Sequence, residues 1–318
     1  MEKGNGVIVC VTGGSGYLGS CLVRKLLHKG YTVHATLRNL GEKSKTSLLK
    51  SLPSAETRLK LFEADIYNPQ EFETAIDGCQ YVFHVATPML HTPYKDTSEA
   101  VVAGVKSIAE YCLRSQTVKR LVYTSSVLMA ASPLTEDGSC FKEYIKSKTL
   151  SEKEILRYNN EKRSEGEMEV VSLACGLVGG ETLLSYLPSS LPVVLSQLTS
   201  DQIYLRQLRF SQELMGSIPV VHIEDVCDAH IFCIEKSSLK GRFLCAAESR
   251  TIEEIAICYQ EIYPLCQIQE GFECEPRGGS KCDLWKLRKE GFKFKYRLKE
   301  ILNDSVQCAK RLGFLQDF

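Results

Sequence analysis

Apolar residues recur along this chain in two rhythms. Short apolar-rich runs, Val7–Val11, Thr32–Leu37, Leu59–Ala64, Tyr81–Ala86, Arg120–Thr124 and Glu169–Leu173, read as strands buried on both faces. Between them, Tyr17–Leu27, Gln70–Gly78, Ser98–Ser115 and Tyr144–Tyr158 repeat their apolar positions with helical spacing, and Gly78 closes its helix. Strands alternating with helices predict an α/β fold, a Rossmann-type doubly wound parallel sheet. Crossovers in such sheets are right-handed, so ligands are expected at the carboxyl ends of the strands. After Gly180 the alternation weakens. Residues 181–219 carry Pro188, Pro192 and Pro219 between helical fragments. Val220–His222 and Gly241–Cys245 read as strands, and Asp225–Lys236, Thr251–Tyr263 and Leu298–Leu312 as helices. The expected division is a sheet domain over 1–175, completed by about 218–236, and a smaller mixed α/β substrate lobe over 176–217 and 237–318.

The first strand runs into Thr12-Gly13-Gly14-Ser15-Gly16-Tyr17-Leu18-Gly19, and a helix follows at once. Strand, glycine-rich turn and helix in that order are what a dinucleotide pyrophosphate needs. One glycine makes the sharp turn, one lets the phosphates approach the backbone, and one lets helix pack on strand. The helix N-terminus then offers N–H groups and the positive end of its dipole. Where a fold of this kind prefers NAD, an acidic residue usually stands about 20 residues further on, for the ribose 2′-hydroxyl. Here the second strand ends in Arg38-Asn39, with Lys43 and Lys45 close behind. A guanidinium pairs well with a 2′-phosphate, so the expected cofactor is NADP(H).

Composition narrows the partners. The 318 residues are 44% hydrophobic and 25% charged, ordinary for a globular chain. Lys+Arg and Asp+Glu number 39 each, so no net charge draws the protein to nucleic acid or an anionic membrane. No apolar run approaches a membrane span, and no apolar signal core precedes the first strand, so a cytoplasmic location is expected. The 14 cysteines include no C-x-x-C pair, and many lie in apolar strand-like or helical runs. They read as small buried hydrophobes, with no metal site expected. A small-molecule substrate, and a monomer or homodimer, are the expected partner and state.

Two further features lie downstream in order. Thr124-Ser125-Ser126 ends a predicted strand, and Tyr144 and Lys148 are four apart in a predicted helix, hence on one face. A tyrosine hydroxyl, with an unperturbed pKa of about 10, is a poor acid near neutrality. An adjacent ammonium favours the phenolate and lowers that value. Ser126 would hold a carbonyl oxygen (Ser125 is the alternative), Tyr144 would deliver the proton, and Lys148 would also hold the nicotinamide ribose. His222 is a weaker candidate base, better read as a hydrogen-bonded structural residue. His84 reads as core, and Asp225 as a helix cap.

With these residues the chain resembles the extended short-chain dehydrogenase/reductases of plants, the group of dihydroflavonol, anthocyanidin, vestitone and cinnamoyl-CoA reductases. The likeness runs through Val11–Gly19, Gly30–Val33, Ala64–Ile66, Val82–Pro88, Val122–Ser126, Ser147–Glu152, Val221–Phe232 and Gly291–Tyr296. It implies NADPH held by Gly13, Gly16, Tyr17, Leu18 and Gly19, with Arg38 and Lys45 near the 2′-phosphate. It places Asp65 and Ile66 at adenine, and Val85, Ala86 and Thr87 beside the cofactor. It implies Ser126, Tyr144 and Lys148 as the catalytic set, Tyr144 and Lys148 also meeting the cofactor.

The chain departs from that group in three places. Only 18 positions separate Ser126 from Tyr144, the segment being shortened to Thr135–Cys140. Val127 replaces the asparagine that follows the serine in dihydroflavonol reductases, and Ala174 stands where the group has proline. The expected function is an NADPH-dependent reductase transferring hydride to a carbonyl or conjugated carbonyl of a small phenolic or apolar plant metabolite, flavonoid-like. The alternatives are a redox-neutral extended-family epimerase or dehydratase, and a catalytically silent NADP-binding regulatory protein.

Overall fold

The computed structural model describes residues 4–86, 97–127, 140–160, 168–268 and 284–316, with side chains for all of these but 97–98 and 140–144. The elements begin with β1 (Ile8–Thr12), α1 (Tyr17–His28), β2 (Thr32–Leu37), α2 (Lys43–Lys50), α3 (Ala55–Arg58), β3 (Leu59–Glu63) and α4 (Phe72–Ile76). Next come β4 (Tyr81–His84), α5 (Thr97–Arg114), β5 (Arg120–Ser126), α6 (Cys140–Arg157), β6 (Glu169–Cys175) and β7 (Leu177–Gly179). There follow α7 (Ser190–Val194), α8 (Ser196–Thr199), α9 (Gln202–Met215), β8 (Ile218–His222), α10 (Ile223–Glu235), β9 (Gly241–Cys245) and β10 (Glu248–Arg250). The last helices are α11 (Ile252–Ile262), α12 (Lys286–Lys289) and α13 (Leu298–Arg311).

The chain divides into two units. Among the described residues the first holds those up to Ser125, those from 140 to Leu173, and His230–Phe243. The second holds Ser126 and Val127, Ala174–Ala229, and those from Leu244 onward.

A seven-stranded sheet, in the order β3-β2-β1-β4-β5-β6-β9, organises the first unit. The pairings from β3 through β5 are all parallel. Val9, Cys10 and Val11 of β1 are fully buried, as are Val82 and Phe83 of β4, because helices cover both faces of such a sheet. On one face, Val105 and Ile108 of α5 and Ile155 of α6 pack with Cys10, Val82 and Leu121. The strand order reverses between β1 and β4, and ligands of doubly wound sheets collect at such a switch point. The loop after β1 carries Gly13–Gly19, and Val85 and Ala86 follow β4.

The second unit is built on a small mixed sheet, β10-β8-β7, with β7 parallel and β10 antiparallel to β8. Val193, Leu208, Ile255, Tyr259, Ile301 and Leu302 from α7, α9, α11 and α13 form its core with Ile218 and Val220. A complete capping box starts α11, where Thr251 and Glu254 each accept the other's backbone N–H.

Three expectations change. Residues 218–229 go with the second unit, since β8 pairs with β7 and β10 rather than with the large sheet. Conversely β9, expected in the lobe, lies beside β6 at the edge of the large sheet. Both strands are five residues long, and a short apolar run does not encode which strand it will pair with. Asp225 caps nothing, because α10 begins two residues earlier, at Ile223. Its fully buried carboxylate accepts the N–H groups of Lys295 and Tyr296, at 3.0 and 3.1 Å, and so ties the segment before α13 to α10.

Candidate active site

The loop after β1 is shaped by close backbone contacts. Gly13 has φ +65°, a region side chains rarely adopt, and a Cβ there would stand 3.0 Å from the Ala86 Cα. A Cβ on Gly19 would stand 2.1 Å from the Gly13 carbonyl oxygen, so only glycine lets α1 start this close to the turn. Gly16 differs: among the described residues a Cβ there would meet only the Gly13 oxygen, at 3.4 Å. Gly16 is also the N-cap of α1, where no side chain caps the helix and the first turn has no acidic residue. A helix start with a bare cap, no carboxylate and room for a substituent fits a dinucleotide pyrophosphate. Tyr17 and Leu18, half-buried, form the first turn of α1.

Thr12 locks the two loops of the switch point together. Its Oγ1 accepts the N–H groups of Val85 and Ala86, each at 3.1 Å, and lies 2.8 Å from His84 Nδ1. With both lone pairs used, its one proton goes to Nδ1, so His84 is a neutral ring that accepts there. Burial, and then the charge of Lys148, push the His84 pKa down to about 3. Thr87, expected beside the cofactor, lies outside the described residues.

Around the ribose positions the expected residues divide. Arg38 is exposed just past β2 and makes no ion pair with any described residue. Lys45, in the first turn of α2, is held at 2.8 Å by Glu42, so its charge is already partly neutralised. Asp65, half-buried after β3, accepts the Tyr67 N–H at 3.1 Å. The Ile66 side chain is only 5% exposed and belongs to the core, where a Cβ on Gly104 of α5 would strike it at 2.7 Å. Its backbone is the part left to face a ligand.

At the end of β5 the side chains alternate. Ser125 is buried and Ser126 half-buried, on opposite faces of the strand. Lys148 of α6 is only 4% exposed. Its ammonium donates to the Thr124 carbonyl at 2.7 Å and stands 4.9 Å from the centre of the Tyr123 ring. Thr124 Oγ1 pairs in turn with His230 Nε2 at 2.8 Å. Tyr144 lies one turn before Lys148 on α6, which starts four residues earlier than the sequence pattern suggests; its side chain lies outside the described residues. Sequence reasoning missed Thr12, Tyr123, Thr124 and His230 as supports of this region. The available signal was polar residues inside apolar runs, of strand for Thr12, Tyr123 and Thr124 and of helix for His230, since buried polar groups need partners.

His222 belongs to the second unit. It accepts the Glu224 N–H at 3.1 Å, stacks on Tyr296 at 3.9 Å, and sets Nε2 3.3 Å from the Asp304 carboxylate. Burial lowers its pKa, as expected of a structural histidine. The eleven cysteines whose side chains are described are all free thiols, nine of them buried. Among the described residues no group of three His, Cys, Asp or Glu side chains could hold a metal ion, and no helix is long and apolar enough to cross a membrane.

A glycine loop at the switch point of a doubly wound sheet defines a dinucleotide-binding protein. The profile described as the NAD dependent epimerase/dehydratase family matches residues 9–245, and the chain belongs to that family, within its extended short-chain dehydrogenase/reductase group. The chain is 34% identical to a Vitis vinifera anthocyanidin reductase, over 97% of its own length and 96% of the relative's. It is 34% identical to a dihydroflavonol 4-reductase of Callistephus chinensis, covering 99% of this chain and 90% of that one. Alfalfa vestitone reductase superposes with a TM-score of 0.77 at 31% identity, covering 97% of this chain and 99% of that structure.

Proposed function

We propose that this protein is an NADPH-dependent reductase of a carbonyl or conjugated carbonyl in a small phenolic or apolar, flavonoid-like plant metabolite, working in the cytoplasm. One observation carries the reading: the open glycine loop after β1 and the Lys148 ammonium beside β5 lie at the same, carboxyl edge of one parallel sheet. The full-length likeness to flavonoid reductases supports the substrate class. The exposed Arg38, with no acidic residue immediately following β2 itself, supports a 2′-phosphate and hence NADP(H), while the nearby Glu63 carboxylate of β3 is engaged by the Leu40 N–H at 2.8 Å.

In this reading the first unit binds the dinucleotide and the second the substrate. The reduced nicotinamide supplies the hydride when bound. Tyr144 gives its hydroxyl proton to the carbonyl oxygen as charge develops there. The Lys148 ammonium, one turn away, makes that phenol a stronger acid. Ser126, on the more open face of β5, donates a hydrogen bond to the same oxygen; the burial of Ser125 favours Ser126 for this role.

The test follows NADPH oxidation with a dihydroflavonol, an anthocyanidin, vestitone and simpler aromatic ketones, beside Tyr144→Phe. Turnover with at least one of them, lost by about 10²-fold or more in the variant, is expected. Binding of NADPH without turnover on any of them would refute the reductase reading.

A further inference from the structure

The Lys148 ammonium is nearly out of contact with water, at 4% residue exposure. Its neighbours include the Thr124 carbonyl, at 2.7 Å, and the ring of Tyr123, 4.9 Å from Nζ to the ring centre. An ammonium within about 6 Å of an aromatic face is attracted by the ring quadrupole, more strongly where water is excluded. Tyr123 is 1% exposed and rigidly seated, with the His84 ring stacked on it at 5.6 Å and 28°.

Resting on the proposed catalytic role of Lys148, we propose that Tyr123 is a positioning residue whose ring face holds the Lys148 ammonium in place for Tyr144 and the cofactor ribose. A carbonyl and a ring face stabilise the cation while leaving its charge intact. His84 completes the arrangement by staying uncharged. A second cation against the same ring would compete for its face and repel the ammonium. Burial and the Lys148 charge keep His84 neutral down to about pH 3, and the Thr12 hydroxyl fills its Nδ1. The described contacts of the ring include the charged Lys148 from α6 and the neutral His84 from β4. His230 from α10 is one step removed, through Thr124.

The experiment grades the ring's negative face at one position. Turnover of the best substrate, NADPH affinity and thermal midpoint are measured for wild type, Tyr123→Phe, Tyr123→Met, and a protein with 3,4,5-trifluorophenylalanine at 123. Phe keeps the face and is expected to hold kcat within about twofold. The fluorinated ring keeps shape and packing but loses the negative face, and is expected to lower kcat about tenfold at an unchanged thermal midpoint. Met is expected to fall with the fluorinated ring. A fluorinated protein with wild-type kcat would overturn the proposal, and it remains decisive if Met fails to fold. Tyr144→Phe runs alongside: turnover retained there would sink the catalytic reading instead. A readout free of catalysis is the Lys148 ε-methylene resonance in lysine-labelled protein. It should be shifted upfield by the Tyr123 ring current in wild type and in Tyr123→Phe, and return to the ordinary lysine position in Tyr123→Met. An unshifted wild-type resonance would overturn the contact itself.

Discussion

Two alanine substitutions in one loop should separate folding from cofactor binding. In Gly19→Ala the new Cβ would stand 2.1 Å from the Gly13 oxygen, 2.9 Å from the Gly13 carbonyl carbon and 3.0 Å from the Gly14 Cα. Ordinary contact begins near 3.4 Å, so helix and turn must part by about 1.3 Å (3.4 less 2.1). All three atoms are backbone, and no side chain can swing away to relieve the clash. Overpacking of this kind costs about 3 kcal/mol, offset by about 1 kcal/mol of better helix propensity for alanine. The net, about 2 kcal/mol, lowers the thermal midpoint by roughly 2–6 °C. In Gly16→Ala the added methyl meets, among the described residues, only the Gly13 oxygen, at 3.4 Å, and Gly16 already has extended dihedrals, φ −80° and ψ 179°, that alanine adopts freely. Folding should lose only about 0.5–1 kcal/mol, from the poorer helix cap. The methyl would nevertheless occupy the space assigned to the pyrophosphate. Loss of one or two hydrogen bonds to a charged group, about 1.5–3 kcal/mol each, weakens NADPH by roughly 10-fold or more. Calorimetric titration with NADPH and thermal melts of both variants make the comparison. Gly16→Ala binding NADPH as tightly as wild type would refute the placement of the phosphates, whatever Gly19→Ala does.

Two other outcomes follow from charge. Arg38→Ala should raise the Kd for NADPH about tenfold and leave that for NADH nearly unchanged, since only the former carries the 2′-phosphate; equal weakening of both would contradict the assignment. His84 titrates near 6.5 in the unfolded chain and, through burial and the Lys148 charge, near 3 in the folded one. Its folded pKa is depressed, so the unfolded state binds the extra proton, and stability is lost as pH falls from about 6.5 towards 3, by up to about 1.4 kcal/mol per pH unit. In His84→Asn, urea melts across that window should show a shallower pH dependence by up to one proton; an unchanged slope would mean that His84 is not the group responsible.

The residues differ in how far they could be read from the chain alone. The glycine loop was legible because each of its requirements is local: a strand that ends, a turn that needs glycine, a helix that begins. The strands through β6 were legible because helices bury both faces of a parallel sheet and leave an apolar run that stands out from the helical periodicity. β8 and β9 were recognised as strands but given to the wrong units, because pairing depends on distant partners. Ile66 shows the limit for single residues. The likeness put it at a ligand, while packing against Gly104 turns its side chain into the core. Asp225 shows it for caps, since a shift of two residues in the start of α10 gave its carboxylate to Lys295 and Tyr296.

The order of motifs along the chain by itself determined the fold class, the dinucleotide loop, and the candidacy of Ser126, Tyr144 and Lys148. These are properties of short stretches, set by periodicity, glycine sterics and helical spacing. Tertiary structure alone decided what surrounds them. Residues 72 to 74 positions apart bring Thr12 onto His84, Val85 and Ala86, and β5 meets α6 so that a lysine finds a carbonyl and a ring face. Such contacts leave no periodic trace, because a buried polar group is satisfied by whatever the packing of distant elements brings within reach.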